Sequence, residues 1–140
     1  MDQANKKCVM IIDEHLPLGI ISNTAAVMGV TLGKHLPQAV GANVLDRTGC
    51  EHLGIIEFPI PILKGNRDLI RELHCRLSRE QDQDLLLVDF SDLAQSCKTY
   101  DEYIAKMAAV PEADLAYLGI AIYGDKKKVN KLTGSLPLLR

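Results

Sequence analysis

Val9-Met10-Ile11-Ile12-Asp13 is the most informative segment for predicting the fold, because two later segments repeat its pattern of an apolar run closed by an aspartate. The second segment is Leu85-Leu86-Leu87-Val88-Asp89, and the third spans residues 118–125 and ends in Asp125. Short apolar runs bounded by polar residues predict strands that are buried on both faces of a sheet. Helix-patterned segments separate these runs, so the chain predicts an α/β fold.

The composition is that of an ordinary globular domain. The 140 residues are 47% hydrophobic and 24% charged, and the formal net charge is −2. This length suits one domain with a substantial core, which we expect to span residues 1–140. The slightly acidic balance and the small aromatic content of 4% argue against nucleic acid as the main partner.

The cysteines indicate a reducing compartment. They are widely spaced and form no CxxC pair: Cys8, Cys50, Cys75 and Cys97. This usage is typical of free thiols in a cytoplasmic protein, and we expect neither a secretory leader nor a membrane span. A zinc site made from Cys50, His52, His74 and Cys75 is disfavoured, because their spacing does not match common zinc sites. We therefore expect no metal and no cofactor.

Several segments have the periodicity of helices. Residues 20–34 are apolar nearly all round, so we expect this helix to be buried against the sheet. Residues 66–80 combine an apolar face with a charged face. Residues 99–109 open on a capping-box pattern, and residues 126–132 predict a short helix. With helices between the strands, we expect a three-layer α/β/α sandwich built on a mixed sheet.

The middle of the chain, from residue 38 to residue 63, is irregular. Glycines punctuate its first part and leave one predicted strand at residues 43–45. Pro59 and Pro61 divide the apolar runs that follow. Because proline removes a hydrogen-bond donor from the strand ladder, we expect this region at an edge of the sheet or in an irregular connection.

Asp13 and Asp89 mark the expected functional edge of the sheet. In open α/β sheets, ligands lie beyond the carboxyl ends of parallel strands. Aspartate is also a common cap and turn residue, so each of these residues could instead only begin the next element. Ser22 and Asn23 have the same alternative, as caps of the helix in which they lie.

Two classes of function fit the polar residues near this edge. In the first, the chain binds a small polar molecule at a site formed by Asp13, His15, Asn23, Asp89 and Ser91, with Lys64 nearby. In the second, it hydrolyses an ester or amide, peptidyl-tRNA included. Asp89 would then orient or deprotonate a water, and His15 would be the general base or acid.

The lysines near the end of the chain and two of the cysteines are further candidates for a chemical role. The lysines of residues 126–131 would hold a phosphate, or would form only a solvated cationic helix end. A cysteine nucleophile at Cys8 or Cys97 is a weaker possibility, since neither has a histidine close to it in the sequence.

Three segments resemble the type II peptidyl-tRNA hydrolase family. They are IIDEHLPLG at residues 11–19, LLLVDFSD at 85–92 and VNKLTGSLPLL at 129–139. The resemblance implies a peptidyl-tRNA hydrolase II-like fold and a homodimer. That family carries lysines after the first segment, whereas this chain has none between Lys7 and Lys34. The departure implies that the hydrolase chemistry is lost, since no cation is left there to stabilise an oxyanion or a phosphate.

A second resemblance covers most of the chain. Residues 16–19 (LPLG), 23–26 (NTAA) and 59–64 (PIPILK), together with the same tail, resemble an uncharacterised bacterial family of unknown function. That family is thought to share the peptidyl-tRNA hydrolase-like fold. This resemblance implies a fold and no established activity.

Overall fold

The computed structural model describes residues 4–140, which form a mixed α/β fold with six strands and five α-helices in this range. The strands are β1 (Lys6–Asp13), β2 (Val44–Leu45), β3 (Glu51–His52), β4 (Ile62–Gly65), β5 (Leu85–Ser91) and β6 (Tyr117–Asp125). The helices are α1 (Leu18–His35), α2 (Arg67–Glu80), α3 (Asp92–Ser96), α4 (Tyr100–Ala108) and α5 (Lys126–Thr133). Short 3₁₀ turns lie at Pro37–Ala39 and Glu112–Asp114. No helix within residues 4–140 is both long enough and apolar enough to cross a membrane.

The main sheet has the strand order β4-β1-β6-β5. Strand β4 is parallel to β1, and β6 is antiparallel to both β1 and β5. Strands β1, β4 and β5 therefore point the same way, and their carboxyl ends share one edge of the sheet. Strands β2 and β3 form a separate two-stranded hairpin.

Side chains of β1 alternate between two hydrophobic cores, as strand geometry requires. Met10 and Ile12 pack in a core that includes Met28 of α1. Val9 and Ile11 belong to a second core, which contains buried residues of α2 and α5: Ile70, Leu73, Leu77 and Val129. Helix α1 and the pair α2 and α5 thus pack against opposite sets of β1 side chains.

Helix α1 packs closely on the sheet at Gly119 of β6. A Cβ atom added there would lie 2.9 Å from Cγ2 of Thr24 and 3.2 Å from the carbonyl oxygen of Ile11. A residue without a side chain is therefore required for this close packing.

The expectation that α1 is buried all round is wrong. Thr24, Met28 and Leu32 are buried on one face, whereas Leu18 and Val30 are 79% and 78% exposed on another. The physical reason is that only one face of the helix meets the sheet, and no other described segment covers its outer face.

The predicted helices are found with small shifts at their ends, whereas the strand-like run at residues 55–58 forms only an isolated bridge between Ile56 and Val40. Helix α2 begins after Asn66, whose Oδ1 accepts a hydrogen bond from the N–H of Leu69 at 2.9 Å. The proline-rich region leads into β4 at an edge of the sheet, as expected. The strand predicted at residues 43–45 pairs within the β2–β3 hairpin and not with the main sheet.

Candidate functional site

The three strand-associated aspartates have different roles. Asp13 ends β1, and its Oδ1 accepts a hydrogen bond from the N–H of His15 at 3.0 Å. Asp125 lies at the opposite edge of the sheet because β6 is reversed, and its Oδ2 accepts from the N–H of Lys128 at 3.2 Å as the N-cap of α5. Both residues therefore organise the turn that follows them. Asp89 is different, since β5 continues beyond it to Ser91.

Asp89 makes a long-range contact with a histidine of α2. Its Oδ2 lies 2.9 Å from Nε2 of His74. The His74 side chain is only 10% exposed, whereas the Asp89 side chain is 36% exposed. The imidazole also stacks on the ring of Tyr117, with 4.0 Å between the ring centroids. The contact therefore joins a fixed, buried imidazole to a carboxylate that solvent can reach.

The sequence contains a signal for this histidine. His74 lies four residues after Ile70 and three before Leu77, which are both buried, so helical periodicity places it on the inner face of α2. A histidine on an apolar stripe predicts a buried imidazole that needs a polar partner. That signal does not say which carboxylate the partner is.

A polar cluster holds Tyr117 in place beneath His74. The Tyr117 hydroxyl donates to Oε2 of Glu112 at 2.6 Å, and this bond lowers the pKa of Glu112. Burial, followed by the hydrogen bond to Glu112, raises the pKa of Tyr117, so the phenol stays neutral. Arg71 of α2 donates to the Glu112 carboxylate at 3.2 Å and to its backbone carbonyl at 3.0 Å. The cluster ties the segment before β6 to α2.

A cavity of 520 Å³ lies beside β5. Residues 86–90 of β5 form one wall, and Val27, Thr31 and His35 of α1 form another. Ala94, residues 97–100 and Tyr103 complete the lining. Its volume is within the range of about 300–1,000 Å³ that is usual for small-molecule sites. Asp89 belongs to this lining.

The cavity combines apolar walls with polar groups of both signs. Besides Asp89, the lining includes His35 and Lys98. Burial, followed by the charge of Asp89, raises the pKa of Tyr103, so this phenol also remains neutral. A neutral phenol both donates and accepts hydrogen bonds. The arrangement suits a ligand that has polar groups and some apolar surface.

The structure does not bring the other predicted site residues to Asp89. None of Asp13, His15, Asn23, Ser91 and Lys64 belongs to the cavity lining. Strand β6 separates β1 from β5, which places their backbones roughly 10 Å apart. His15, in the turn after β1, is exposed, and Asp89 contacts His74 in its place. Lys64 lies in β4, at the far edge of the sheet.

Asn23 and Ser91 also have other surroundings than expected. Asn23 is exposed within α1, and it is not a cap because the helix begins at Leu18. Ser91 is buried, and its Oγ accepts a hydrogen bond from the N–H of Ala94 at 3.2 Å as the N-cap of α3.

Of the two candidate nucleophiles Cys8 and Cys97 and the lysines of residues 126–131, one residue lies in the cavity lining with Asp89. Cys97 contributes to the cavity lining. Cys8 lies in β1, where burial raises its pKa to about 12, so its thiol is inert as a nucleophile at neutral pH. The lysine-rich start of α5 follows the carboxyl end of β6, at the opposite edge of the sheet from Ser91. Nζ of Lys128 there contacts Oδ2 of Asp82 at 2.7 Å.

The comparisons with known proteins concern fold and family. A solved structure of a protein of unknown function, Atu0240 from Agrobacterium tumefaciens strain C58, is similar to this chain with a TM-score of 0.85 and 16% sequence identity. The similarity covers 96% of this chain and 97% of that one, and at this identity it shows a shared fold. The search of curated proteins gave no match. Residues 6–140 match a family described as a protein of unknown function, DUF2000. The chain therefore belongs to the DUF2000 family.

Proposed function

We propose that this protein binds a small polar ligand in the cavity beside β5, with the Asp89 carboxylate as the principal hydrogen-bond acceptor. The observation that carries the proposal is that Asp89 both lines the cavity and contacts a buried histidine. It lies in the lining of a 520 Å³ cavity, and its Oδ2 lies 2.9 Å from Nε2 of a buried histidine. A partly exposed carboxylate that is held in one orientation is suited to ligand recognition.

His74 is a positioning residue in this site. Nδ1 of His74 lies 3.4 Å from Oγ of Ser78, whose hydroxyl can donate to it. This contact favours the tautomer that carries its proton on Nε2, which donates to Asp89. The imidazole thereby fixes one carboxylate oxygen and leaves the other for the ligand. His74 does not itself belong to the cavity lining.

Native mass spectrometry tests the proposal directly. The purified protein should carry an added small mass that is lost on mild denaturation, and Asp89→Asn should lose that mass. Asp13→Asn is the matched control, because Asp13 also closes an apolar strand but lies outside the cavity lining. If the protein is empty, a panel of amino acids, nucleosides and sugar phosphates should shift the amide resonances of residues 86–90.

Either of two results would overturn the proposal. In one, Asp89→Asn and Asp13→Asn lose binding equally. In the other, neither an adduct nor a shift at residues 86–90 is found.

We also propose that the fold is a three-layer α/β/α sandwich of the peptidyl-tRNA hydrolase II type, formed as one domain. The two separate cores support the layered arrangement, because α1 and the pair α2 and α5 pack against opposite sets of β1 side chains. The order of the three segments that resemble that family supports the kinship. A superposition that pairs all four strands in the same order and direction would test it, and a different strand order would refute it.

A hydrolase is the second candidate, and the contact between Asp89 and His74 is the observation that favours it. Asp89 would remove a proton from a water in the cavity, and the water oxygen would attack an ester or amide carbonyl. The proton would then pass to the departing alcohol or amine. With peptidyl-tRNA and p-nitrophenyl acetate as substrates, Asp89→Asn should reduce the rate by about 100-fold or more, while Asp13→Asn should not. Equal rates in the two variants would remove this candidate.

A further inference from the structure

Five consecutive residues of one strand line the cavity beside β5. They are residues 86–90. Successive side chains of a strand point to opposite faces of the sheet, so side chains of one face cannot provide a continuous run of five. The cavity must therefore run along the outer edge of β5, where backbone groups are presented.

Among the described residues, the outer edge of β5 has backbone N–H and C=O groups that no neighbouring strand pairs with. Strand β5 is the last strand of the sheet and pairs only with β6 among the described residues. Within residues 4–140, no backbone hydrogen bond joins residues 86–90 to a segment other than β6. In an antiparallel pair, alternate residues direct their N–H and C=O groups away from the partner. Alternate backbone groups of residues 86–90 consequently point away from β6, toward the edge along which the cavity runs.

We propose that the occupant of the cavity is an extended peptide segment that adds to β5 as a fifth strand, with a lysine or arginine side chain beside Asp89. The inference rests on the proposed binding at Asp89 and deepens it: the polar group bound there is the cationic side chain of a longer peptide and not a free small molecule. Strand addition uses backbone hydrogen bonds for affinity and side-chain contacts for specificity. Residues 86–90 would pair with a segment roughly 17 Å long.

The side chains around the edge support this choice of occupant. A cross-strand neighbour of Asp89 shares its face of the sheet, and an exposed carboxylate there selects a cation. The rings of Tyr100 and Tyr103 lie 5.5 Å apart in an edge-to-face arrangement and line the same cavity. Aromatic rings of this kind pack against the aliphatic stem of a basic side chain and attract its charge.

The test uses a capped peptide of about seven residues, long enough to span the edge, with alternating threonine and valine and a central lysine. Two versions each carry one backbone N-methyl group, at neighbouring positions. In an added strand, alternate amides point toward β5, so only one of the two versions should lose affinity, by about tenfold or more. The unmodified peptide should also slow amide hydrogen exchange at residues 86–90.

A second pair of measurements tests the role of Asp89. Replacing the central lysine by norleucine, which keeps the stem and removes the charge, should weaken binding to the natural protein by about tenfold. The same replacement should have little effect on binding to Asp89→Asn. Asp13→Asn should behave like the natural protein.

The outcomes separate this inference from the proposed function. Equal binding of both N-methylated peptides would overturn strand addition and leave the cavity as a ligand site. Strand addition would also be overturned if small polar molecules shift the amide resonances of residues 86–90 and the peptides do not. Protection of those amides by self-association in the absence of peptide would also overturn the inference, because a second copy would then occupy the edge. Failure of every probe would overturn both proposals.

Discussion

At the scale of single residues, equal sequence contexts lead to unequal roles. Asp13, Asp89 and Asp125 each follow an apolar run. Asp13 and Asp125 accept hydrogen bonds from backbone N–H groups two and three residues ahead, which is local turn and cap geometry. Asp89 contacts His74, fifteen residues earlier in the chain. The difference depends on what packs against each strand and not on the neighbouring sequence.

Ser91 is expected to be a structural cap and not a ligand contact. Ser91→Ala removes a buried hydroxyl that accepts from the N–H of Ala94, so it should lower the free energy of unfolding by about 1–2 kcal/mol. Ser96→Ala is the control, because it makes the same chemical change at an exposed position of α3 and should stay within about 0.5 kcal/mol. Urea unfolding measures both. Ligand affinity that falls in Ser91→Ala without loss of stability would assign Ser91 to the site.

The thiols should differ in reactivity. Cys50 is exposed, whereas Cys8 is buried with its pKa raised to about 12 by desolvation. Since the thiolate is the reactive form, an alkylating reagent at pH 8 should label Cys50 first and Cys8 only after unfolding. Peptide mass spectrometry of timed samples measures the order. Rapid labelling of Cys8 in the folded protein would contradict its place in β1.

At the scale of elements, α1 shows how a helix with apolar residues on every side is placed by one close contact. Its buried residues Thr24 and Met28 approach β6 at Gly119, where a Cβ atom would lie 2.9 Å from Thr24 and 3.1 Å from Met28. The opposite face, with Leu18 and Val30, stays exposed. The composition of α1 therefore indicates that this helix packs on the sheet. The space above Gly119 of β6 determines that the face with Thr24 and Met28 is the one in contact.

Two alanine substitutions of glycine test this packing. Gly119→Ala should lower the free energy of unfolding by about 1–3 kcal/mol, because the added methyl group has no space between α1 and β6. Gly33→Ala should instead raise it by about 0.5–1 kcal/mol, since Gly33 lies in α1 and the added Cβ would have no atom within 4 Å apart from its chain neighbours and the nearby backbone of α1. Chemical denaturation measures both changes. A loss of stability in Gly33→Ala as large as in Gly119→Ala would contradict the assigned face.

At the scale of the whole molecule, ionic contacts join segments that are distant in the chain. Glu112 connects the segment before β6 to Arg71 of α2, and Lys128 of α5 contacts Asp82 before β5. The hydrogen bond from Tyr117 lowers the pKa of Glu112, and the hydrogen bond from Lys128 lowers the pKa of Asp82. A carboxylate with a lowered folded-state pKa stabilises the fold above its unfolded-state pKa, and this contribution is lost as the pH falls through the folded-state value.

The protein should therefore lose stability on acidification, beginning near the ordinary glutamate pKa of 4.5. Glu112→Gln should be less stable than the natural protein at pH 7, and the difference in Tm should shrink as the pH falls below about 4.5. Thermal melts at a series of pH values measure this. A difference in Tm that stays constant from pH 7 to the acid limit would show that the Glu112 charge does not contribute.

The helices and the long strands of this protein can be predicted from the sequence, because their signals lie within a few residues of one another. Apolar runs predicted the long strands, and the positions of Asn66 and Thr99 predicted the starts of α2 and α4. The α/β class and the prediction that Asp89 belongs to a site follow from the same local patterns. The sequence places His15 near Asp89 because the apolar runs before these two residues predict strands with a shared direction, and β1 and β5 do share one.

Which groups meet depends instead on how the strands and helices pack together. The insertion of the reversed strand β6 between β1 and β5 separates His15 from Asp89, and the packing of α2 brings His74 to Asp89 instead. The cavity likewise exists because β5 is an edge strand flanked by α1 and by the segment that leads into α4. Strand order depends on the packing free energy of the whole sheet, which is summed over residues far apart in the chain. No local pattern carries that information.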